Sequence, residues 1–584
     1  MKYSLKIISH DKTIKTAKND LLADKIQEAG INLSAYCSKR GLCGKCFVEI
    51  IDGKLPPPLE KENFFLKQKK LSKNHRLACL YKIQGDLSVK VPQESLIQET
   101  IILTTGIQQQ FLIDPPVKKY HLQLAKPRIS APDSIAELFQ TYLRERNLNF
   151  PLNLLKKLPD ILERNRYDIT VVMHKENEIL NVERGDTTKY NFGLAIDIGT
   201  TTLVVELVDL NTGETRDTST ALNSQVKFGA DVISRISYAF HSQKNLEELR
   251  NSIIKTLNKM ITQLLKRNRI DPDFVYEIAA AGNTSMNHLL LGVPVETLAM
   301  APYNSVFTFL PELSSQDLGF KINKYGKVYI APNIQSFVGG DVSSGLTATN
   351  LENKKGNFLF IDLGTNGEIV LKKGNKFIAT STAAGPAFEG TNISCGMLAL
   401  PGAIYKAEQK DRLRLFTIRN KPGSGICGTG LIDLIAVFLD KGIISSKGTI
   451  QAKTKKIHIT GSIYITQKDV REAQLAIAAI KTGIRMILEE SNMTLEQLNG
   501  IFIAGAFGNY LNIKNSMKIG LLPQINQKKV IFIGNSSLAG AKSLLLSLQT
   551  RKKIESMVKK IQYISLATKP SFQDYFINAL EFKN

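Results

Sequence analysis

No apolar run in the 584 residues reaches the ~18 residues of a membrane span, which argues against a spanning helix. The opening MKYSLKIISHDKTIKTA lacks the apolar core of a signal peptide. A cytoplasmic, reducing compartment is therefore expected, with no membrane partner. Cysteine is scarce, six in all, and in a reducing compartment so few suit a metal site better than a disulfide framework. The Gly-x-Gly-x-x-Gly fingerprint ahead of a helix is missing, and so is a P-loop. Any nucleotide must be held by another kind of turn. No basic-aromatic motif, internal repeat or low-complexity tract occurs. The net charge of +23 comes from scattered residues, so solvated lysine-rich faces are favoured over nucleic-acid binding, and an acidic protein partner stays open.

What remains is ordinary globular composition, 43% hydrophobic and 22% charged. The length suits about three or four domains. Residues 2–9 alternate as a strand. Residues 19–29 read as a helix, with Asn19 a candidate N-cap and Gly30 the stop. FVEIIDG, LACLYKI and LSVKV read as further strands. Residues 94–125 contain Pro115 and Pro116 and read as an extended linker. Residues 126–188 form a small α+β domain, with helices in SIAELFQTYLRER and NLLKKLPDILER and strands at DITVVMH and EILNVE. Beyond residue 189, apolar strands alternate with amphipathic helices. One helix, 245–268, aligns Leu246, Leu249, Ile253, Leu257, Met260, Ile261 and Leu264; another, 470–490, aligns Leu475, Ile477, Ile480, Ile484 and Ile487.

Four cysteines, Cys37, Cys43, Cys46 and Cys79, sit with five, two and thirty-two residues between them. The spacing matches a ferredoxin loop in which four thiolates hold a 2Fe–2S cluster. Structural zinc usually takes paired C-x-x-C knuckles, and only one is present. Cys395 and Cys427 are isolated in apolar or Gly-rich settings and read as packing residues. With the surrounding strands and helix, residues 1–93 resemble a β-grasp ferredoxin.

GLAIDIGTTTLVVELVDL (193–210) is a strand, a turn at Asp197–Thr202 and a second strand. NFLFIDLGTNGEIVL (357–371) repeats that design at Asp362–Gly367. In each, an Asp at the strand end can position a metal-bound water, a Gly lets backbone approach a phosphate, and Thr or Asn offers a polar group. IFIAGAFGNYL (501–511) supplies a third Gly-rich turn after a strand, and SGICGTGLIDLI (424–435) a fourth leading into a helix.

These turns resemble the phosphate and adenosine motifs of the actin, sugar kinase and Hsp70 superfamily, whose two similar halves close over ATP and magnesium. The resemblance implies that Asp197 and Asp362 organise the Mg2+–water shell. It places Gly199, Thr200, Thr201 and Thr202, with Gly364, Thr365 and Asn366, at the phosphates. It places Gly428, Thr429 and Gly430, with Gly505, Ala506 and Gly508, at the nucleoside. Leu363 and Asn366 depart from the usual Asp-Gly-Gly-Thr. A ferredoxin domain (1–93), linker (94–125), middle domain (126–188) and two-lobed actin-like ATPase (189–584) together resemble the reductive activators of corrinoid proteins. AAAGNTSMNHLLLGVP, APNIQSFVGGDVSSG and TAAGPAFEGTNISCGM look like that family's own segments. The resemblance implies ATP-dependent transfer of one electron from the cluster to Co(II), regenerating Co(I) for methyl transfer. It also implies a corrinoid protein partner, a low-potential electron donor and a homodimer.

Other acids lie in Gly-rich stretches. Asp341 reads equally as a magnesium-shell acid or a helix N-cap. Glu368 and Glu389 read as surface turn residues more than as a water-activating base. His288 reads as a satisfied core or cap residue, and Asn283 and Thr284 as contacts to nucleotide or partner. Two alternatives stand beside the main reading. One is an activator of another low-potential enzyme, like those of 2-hydroxyacyl-CoA dehydratases, which need a cysteine pair in the ATPase domain for a shared 4Fe–4S cluster. The other is a non-enzymatic redox and nucleotide switch.

Overall fold

The computed structural model describes every residue except 1, 32, 34–45, 69–70, 93–94, 97–112, 129–132, 146, 391, 506–510 and 583–584. The chain forms two compact units, residues 1–100 with 224–238, and residues 101–223 with 239–584.

The first unit holds β1 (Lys2–Ile7), β2 (Lys12–Ala17), β3 (Phe47–Gly53), β4 (His75–Leu77) and β5 (Leu87–Lys90) in one sheet ordered β2-β1-β5-β3-β4. β1 runs parallel to β5, and the other pairs are antiparallel. Alternation along β1 buries Leu5 and Ile7. The helix Leu22–Glu28 adds Leu22, Ala23 and Ile26 to the same core. Asn19 does not cap it. Its backbone is left-handed and its N–H donates to Ile83 O, so Leu21 takes the cap position without a side-chain bond. Gly30 does end the turn, its N–H on Gln27 O. The strand expected at LACLYKI stops at Leu77, because the N–H groups of Leu80 and Tyr81 both curl back to Leu77 O.

The second unit begins with an antiparallel sheet of β6 (Val117–Gln123), β7 (Asp168–His174) and β8 (Glu178–Arg184). β6 lies within the stretch read as a linker. Its polar sequence VKKYHLQ hides a buried position, Lys119, whose ammonium meets Glu183 at 2.7 Å. The helix Ile135–Leu143 opens on a Ser134–Glu137 capping box. The expected second helix is two, Leu152–Leu155 and Leu158–Arg164, since Pro159 opens a new first turn.

Two larger sheets follow. One contains β9 (Phe192–Ile198), β10 (Thr202–Asp209), β11 (Thr215–Leu222), β12 (Val275–Gly282), β13 (Leu313–Ser314) and β14 (Lys327–Ile330), ordered β11-β10-β9-β12-β14-β13. The other starts with β15 (Phe358–Leu363), β16 (Gly367–Lys373) and β17 (Lys376–Thr382). The chain then makes smaller sheets from β18 (Ala403–Gln409), β19 (Leu413–Thr417), β20 (Gly425–Ile426), β21 (Lys456–Thr460) and β22 (Ile463–Thr466). It returns as β23 (Gly500–Ala504), β24 (Val530–Gly534) and β25 (Gln562–Tyr563), giving β24-β23-β15-β16-β17-β25. Leaving aside the two-residue edge strands β13 and β25, both halves share the order third-second-first-fourth-fifth. In each, the first strand is antiparallel to the second and parallel to the fourth. The repeat is one of topology, carried by apolar pattern and turn chemistry.

Each half ends its fifth strand in a helix, Gly340–Ala348 in the first and Ser536–Leu546 in the second. The two helices pack against each other so closely that a Cβ on Gly540 would lie 1.9 Å from Ser344 O. Only glycine permits that approach. A second tie is Arg551, whose buried guanidinium donates to buried Glu277 at 2.6 Å and stacks on Tyr329. The helix Gln243–Asn268 buries all seven residues of its expected stripe. In Gln467–Glu490 the isoleucines of the stripe are buried, but Leu475 is 45% exposed and lies off the core face. Among the described residues, no helix is long and apolar enough to cross a membrane.

Candidate functional site

Two of the four N-terminal cysteines, Cys37 and Cys43, lie outside the described residues. Cys46 leads into β3 and Cys79 follows β4. Phe47 pairs with Leu77, and Ala78 N–H donates to Cys46 O at 2.9 Å. The ladder therefore carries both cysteines to one end of the sheet, where both are buried. Two buried thiols held by paired backbone fit an iron–sulfur ligand set.

In the second unit the two phosphate-type turns are hairpins of the same build. Asp197 pairs with Val204 across β9–β10, and Asp362 pairs with Glu368 across β15–β16. The acids converge from both halves. Asp197, of the first half, accepts from Asn535 Nδ2 and Ser537 Oγ of the second half, each at 2.8 Å. Asp341, in the first turn of the Gly340–Ala348 helix, faces Asp197 and Asp362. It is not the N-cap, which is Gly339.

Burial, followed by repulsion from Asp341 and Asp197, pushes the Asp362 carboxyl up to about 7. Burial and the nearby Asp197 push Asp341 up to about 6. Burial raises Asp197 against its two hydrogen bonds. Glu368 is buried, not a surface turn residue, and burial with repulsion from Asp341 and Asp362 raises it far above the carboxylate range. Such a cluster fits a cation, which would reverse every one of these shifts. Among the described residues, no three of these side chains close tightly enough to ligate one bare ion.

Glu389 joins the two turns. It lies in the short turn Pro386–Glu389. Its Oε2 accepts from Thr201 Oγ1 at 2.9 Å and its Oε1 from Thr365 Oγ1 at 2.5 Å. Asn223 braces the first turn, its N–H on Thr201 O and its Nδ2 on Gly199 O. The N–H of Gly385 braces the second on Thr365 O.

Gly505 follows β23 with φ +100°, and a Cβ there would lie 2.7 Å from Leu363 O and 3.2 Å from Asp362 Oδ1. Ala506 and Gly508 lie outside the described residues. Gly428, Thr429 and Gly430 form the buried first turn of the helix Gly428–Asp440, and the Thr429 hydroxyl donates to Tyr405 O. His288 is buried, with Nδ1 on Thr284 O and Nε2 on Val306 N–H. Asn283 caps its helix, and Thr284 Oγ1 donates to Gln335 O. Cys427 is a buried N-cap residue and Cys395 a half-buried one against Tyr464 N–H.

Asn535 and Ser537 are site residues that sequence reading missed, and Glu368 and Glu389 were named there but read as surface turn residues. Glu368 had a signal: a short hairpin after Asp362 puts it directly opposite. Asn535 also had one, as the polar residue between strand VIFIG and an apolar helix. Glu389 had none, because its partners are 188 and 24 residues away.

Family models match most of the chain. Residues 6–84 match the 2Fe-2S iron-sulfur cluster binding domain, 106–189 the RACo linker region, 192–354 the RACo middle region and 356–584 the C-terminal domain of RACo, the ASKHA domain. The corrinoid activation enzyme RamQ of Eubacterium limosum is 31% identical over 604 residues, spanning 98% of each chain. The chain belongs to the reductive activators of corrinoid proteins. A solved member of this family, a reductive activator for corrinoid,iron-sulfur protein, is 34% identical with a TM-score of 0.75, covering 99% of this chain and 98% of the other. The [Co(II) methylated amine-specific corrinoid protein] reductase of Methanosarcina barkeri is 28% identical over 430 residues, 67% of this chain and 77% of that one. The activator thus combines an iron–sulfur domain with a nucleotide-binding ASKHA fold.

Proposed function

We propose that this activator uses MgATP to drive one electron into the Co(II) form of a corrinoid protein, restoring Co(I) for methyl transfer. The observation that carries the reading is one chain joining a buried cysteine pair in a ferredoxin-like sheet to acids converging from both halves of an ASKHA fold. When bound, a 2Fe–2S cluster supplies single electrons at low potential, roughly −400 mV for plant-type domains. The Co(II)/Co(I) couple lies lower still. An uphill gap of ~200 mV costs about 5 kcal/mol, at 59 mV per tenfold. Nucleotide can meet that cost only by favouring one conformation of the complex over another.

The residues give this coupling a physical form. Cys46 and Cys79, with Cys37 and Cys43, hold the cluster. Asp197, Asp341 and Asp362 orient a hydrated Mg2+, and the backbone of residues 199–202 and 364–366 cradles phosphate. Gly428–Gly430 and Gly505, Ala506 and Gly508 border the nucleoside. Asp341 rides on the first half and Asp362 on the second, so a cation between them draws the halves together. A homodimer, a low-potential donor and a cytoplasmic setting complete the proposed system.

Two variants test the division of labour. Asp362→Asn should keep the cluster spectrum, lose ATP turnover and form no Co(I). Cys79→Ser should keep nucleotide binding, lose the spectrum and also form no Co(I). Full Co(I) formation by either variant contradicts the reading.

A further inference from the structure

The activator's two phosphate turns are linked by a single carboxylate, and this contact has chemistry of its own. Thr201 belongs to the first half and Thr365 to the second. A threonine hydroxyl has one proton to donate. Here both protons are committed to Glu389, one to each carboxylate oxygen. As the turns stand, neither of these two hydroxyls can donate to a phosphate, so that task falls to the backbone N–H groups and the turns' other polar side chains. The hydroxyls act as struts instead. Glu389 itself is anchored within its own short turn, and the neighbouring Gly385 N–H is tied to Thr365 O at 2.8 Å. The second turn and Glu389 thus form one braced unit, and Thr201 is the strut through which the first turn is held to it.

We propose that Glu389 is a positioning residue of the nucleotide site, setting the distance between the two phosphate turns by holding Thr201 and Thr365 at once. It acts through the threonines, not on the nucleotide. The inference rests on the reading of these turns as phosphate-binding.

The shape of the contact, more than its charge, is what matters, and this separates substitutions. Glutamine at 389 can still bridge, its carbonyl accepting from one hydroxyl and its amide donating to the other. Alanine breaks both bonds. Aspartate falls one methylene short and keeps at most one.

The test uses full-length, cluster-loaded protein, and measures MgATP affinity together with KM and kcat for ATP hydrolysis. E389A should weaken ATP binding and raise KM about tenfold or more, as for loss of hydrogen bonds to a charged group. E389Q should stay within about threefold of wild type, and E389D should fall between. T201V should weaken binding as E389A does, and T201V/E389A should be no worse than E389A alone, since each breaks the same tie. Unfolded E389A protein is recognised by its melting curve, in which case E389Q and T201V carry the comparison. If wild type binds ATP and both E389A and T201V bind it equally well, this inference fails and the nucleotide reading survives. The inference also fails if E389Q, folded, is as impaired as E389A, because charge rather than bridging would then be the operative property. Wild-type protein that binds no ATP overturns the nucleotide reading and this inference with it.

Discussion

Replacing Asp362 with asparagine should make the nucleotide-free activator more stable while disabling its nucleotide chemistry. Asp362 is half-buried at the end of β15 and faces Asp341 and Asp197, and its carboxyl is pushed from 3.8 up to about 7. A folded-state value above the unfolded one means that the folded protein holds this proton more tightly. The stability so contributed is full below 3.8 and is lost as pH rises through about 7. At about 1.4 kcal/mol per tenfold change in proton affinity, the ionised group costs the fold on the order of 4 kcal/mol above pH 8. Burial of the carboxylate is the larger cause, and an asparagine amide there is still partly desolvated, so D362N should recover only part of this, about 2 kcal/mol. That corresponds to a rise on the order of 5 °C in the melting of the ASKHA domain. The assay is thermal unfolding of wild type and D362N in chelator without nucleotide, at pH 8 and pH 5. D362N should melt higher at pH 8, and the gap should shrink at pH 5. Saturating MgATP should reverse the order, because only wild type gains the ligand's stabilisation. A D362N protein that melts below wild type at pH 8, or a gap indifferent to pH, refutes the electrostatic account of the site.

Three further outcomes follow from the packing. Arg551→Ala leaves the Glu277 carboxylate buried without its guanidinium partner and should destabilise the second unit by about 3–5 kcal/mol in denaturant titration; an R551M/E277Q pair should recover much of that loss. Gly540→Ala puts a methyl group 1.9 Å from Ser344 O where the two central helices touch, so it should lower the melting temperature and weaken ATP binding together. Burial pushes the His288 imidazole below its ordinary 6.5, and its Nε2 accepts from Val306 N–H. The folded state therefore binds this proton less well than the unfolded one, and stability is lost as pH falls from about 6.5 through the folded value. Relative to His288→Phe, wild type should lose more stability between pH 7 and pH 5; equal losses would show that His288 does not titrate on folding.

The strand–turn–strand units at 192–209 and 358–373 were legible because apolar alternation and Asp-x-Gly-Thr turns are local signals, and both hairpins form where expected. Leu246 through Leu264 were legible for the same reason, since helical periodicity is local. Other features depend on partners far along the chain. β6 looked like a linker because its buried lysine requires Glu183, a residue with no sequence neighbourhood in common. Asn19 looked like a cap, but Ile83 O claims its N–H. Glu368 and Glu389 looked like turn residues because each also depends on a residue of the opposite half, Asp341 for Glu368 and Thr201 for Glu389. Two similar halves were implied by the superfamily resemblance, but their strand order came only from the structure. A helix stripe also has limits: Leu475 kept the right spacing but fell just outside the covered arc.

Nucleotide bound where the acids of the two halves converge should make an uphill electron transfer possible. The direct measurement mixes pre-reduced, cluster-loaded activator with a Co(II) corrinoid protein under strict anaerobiosis and follows the cobalt spectrum, with and without MgATP. Co(I) absorption that develops only when MgATP is present is the predicted result. No Co(I) in either case, or equal Co(I) without nucleotide, contradicts the account.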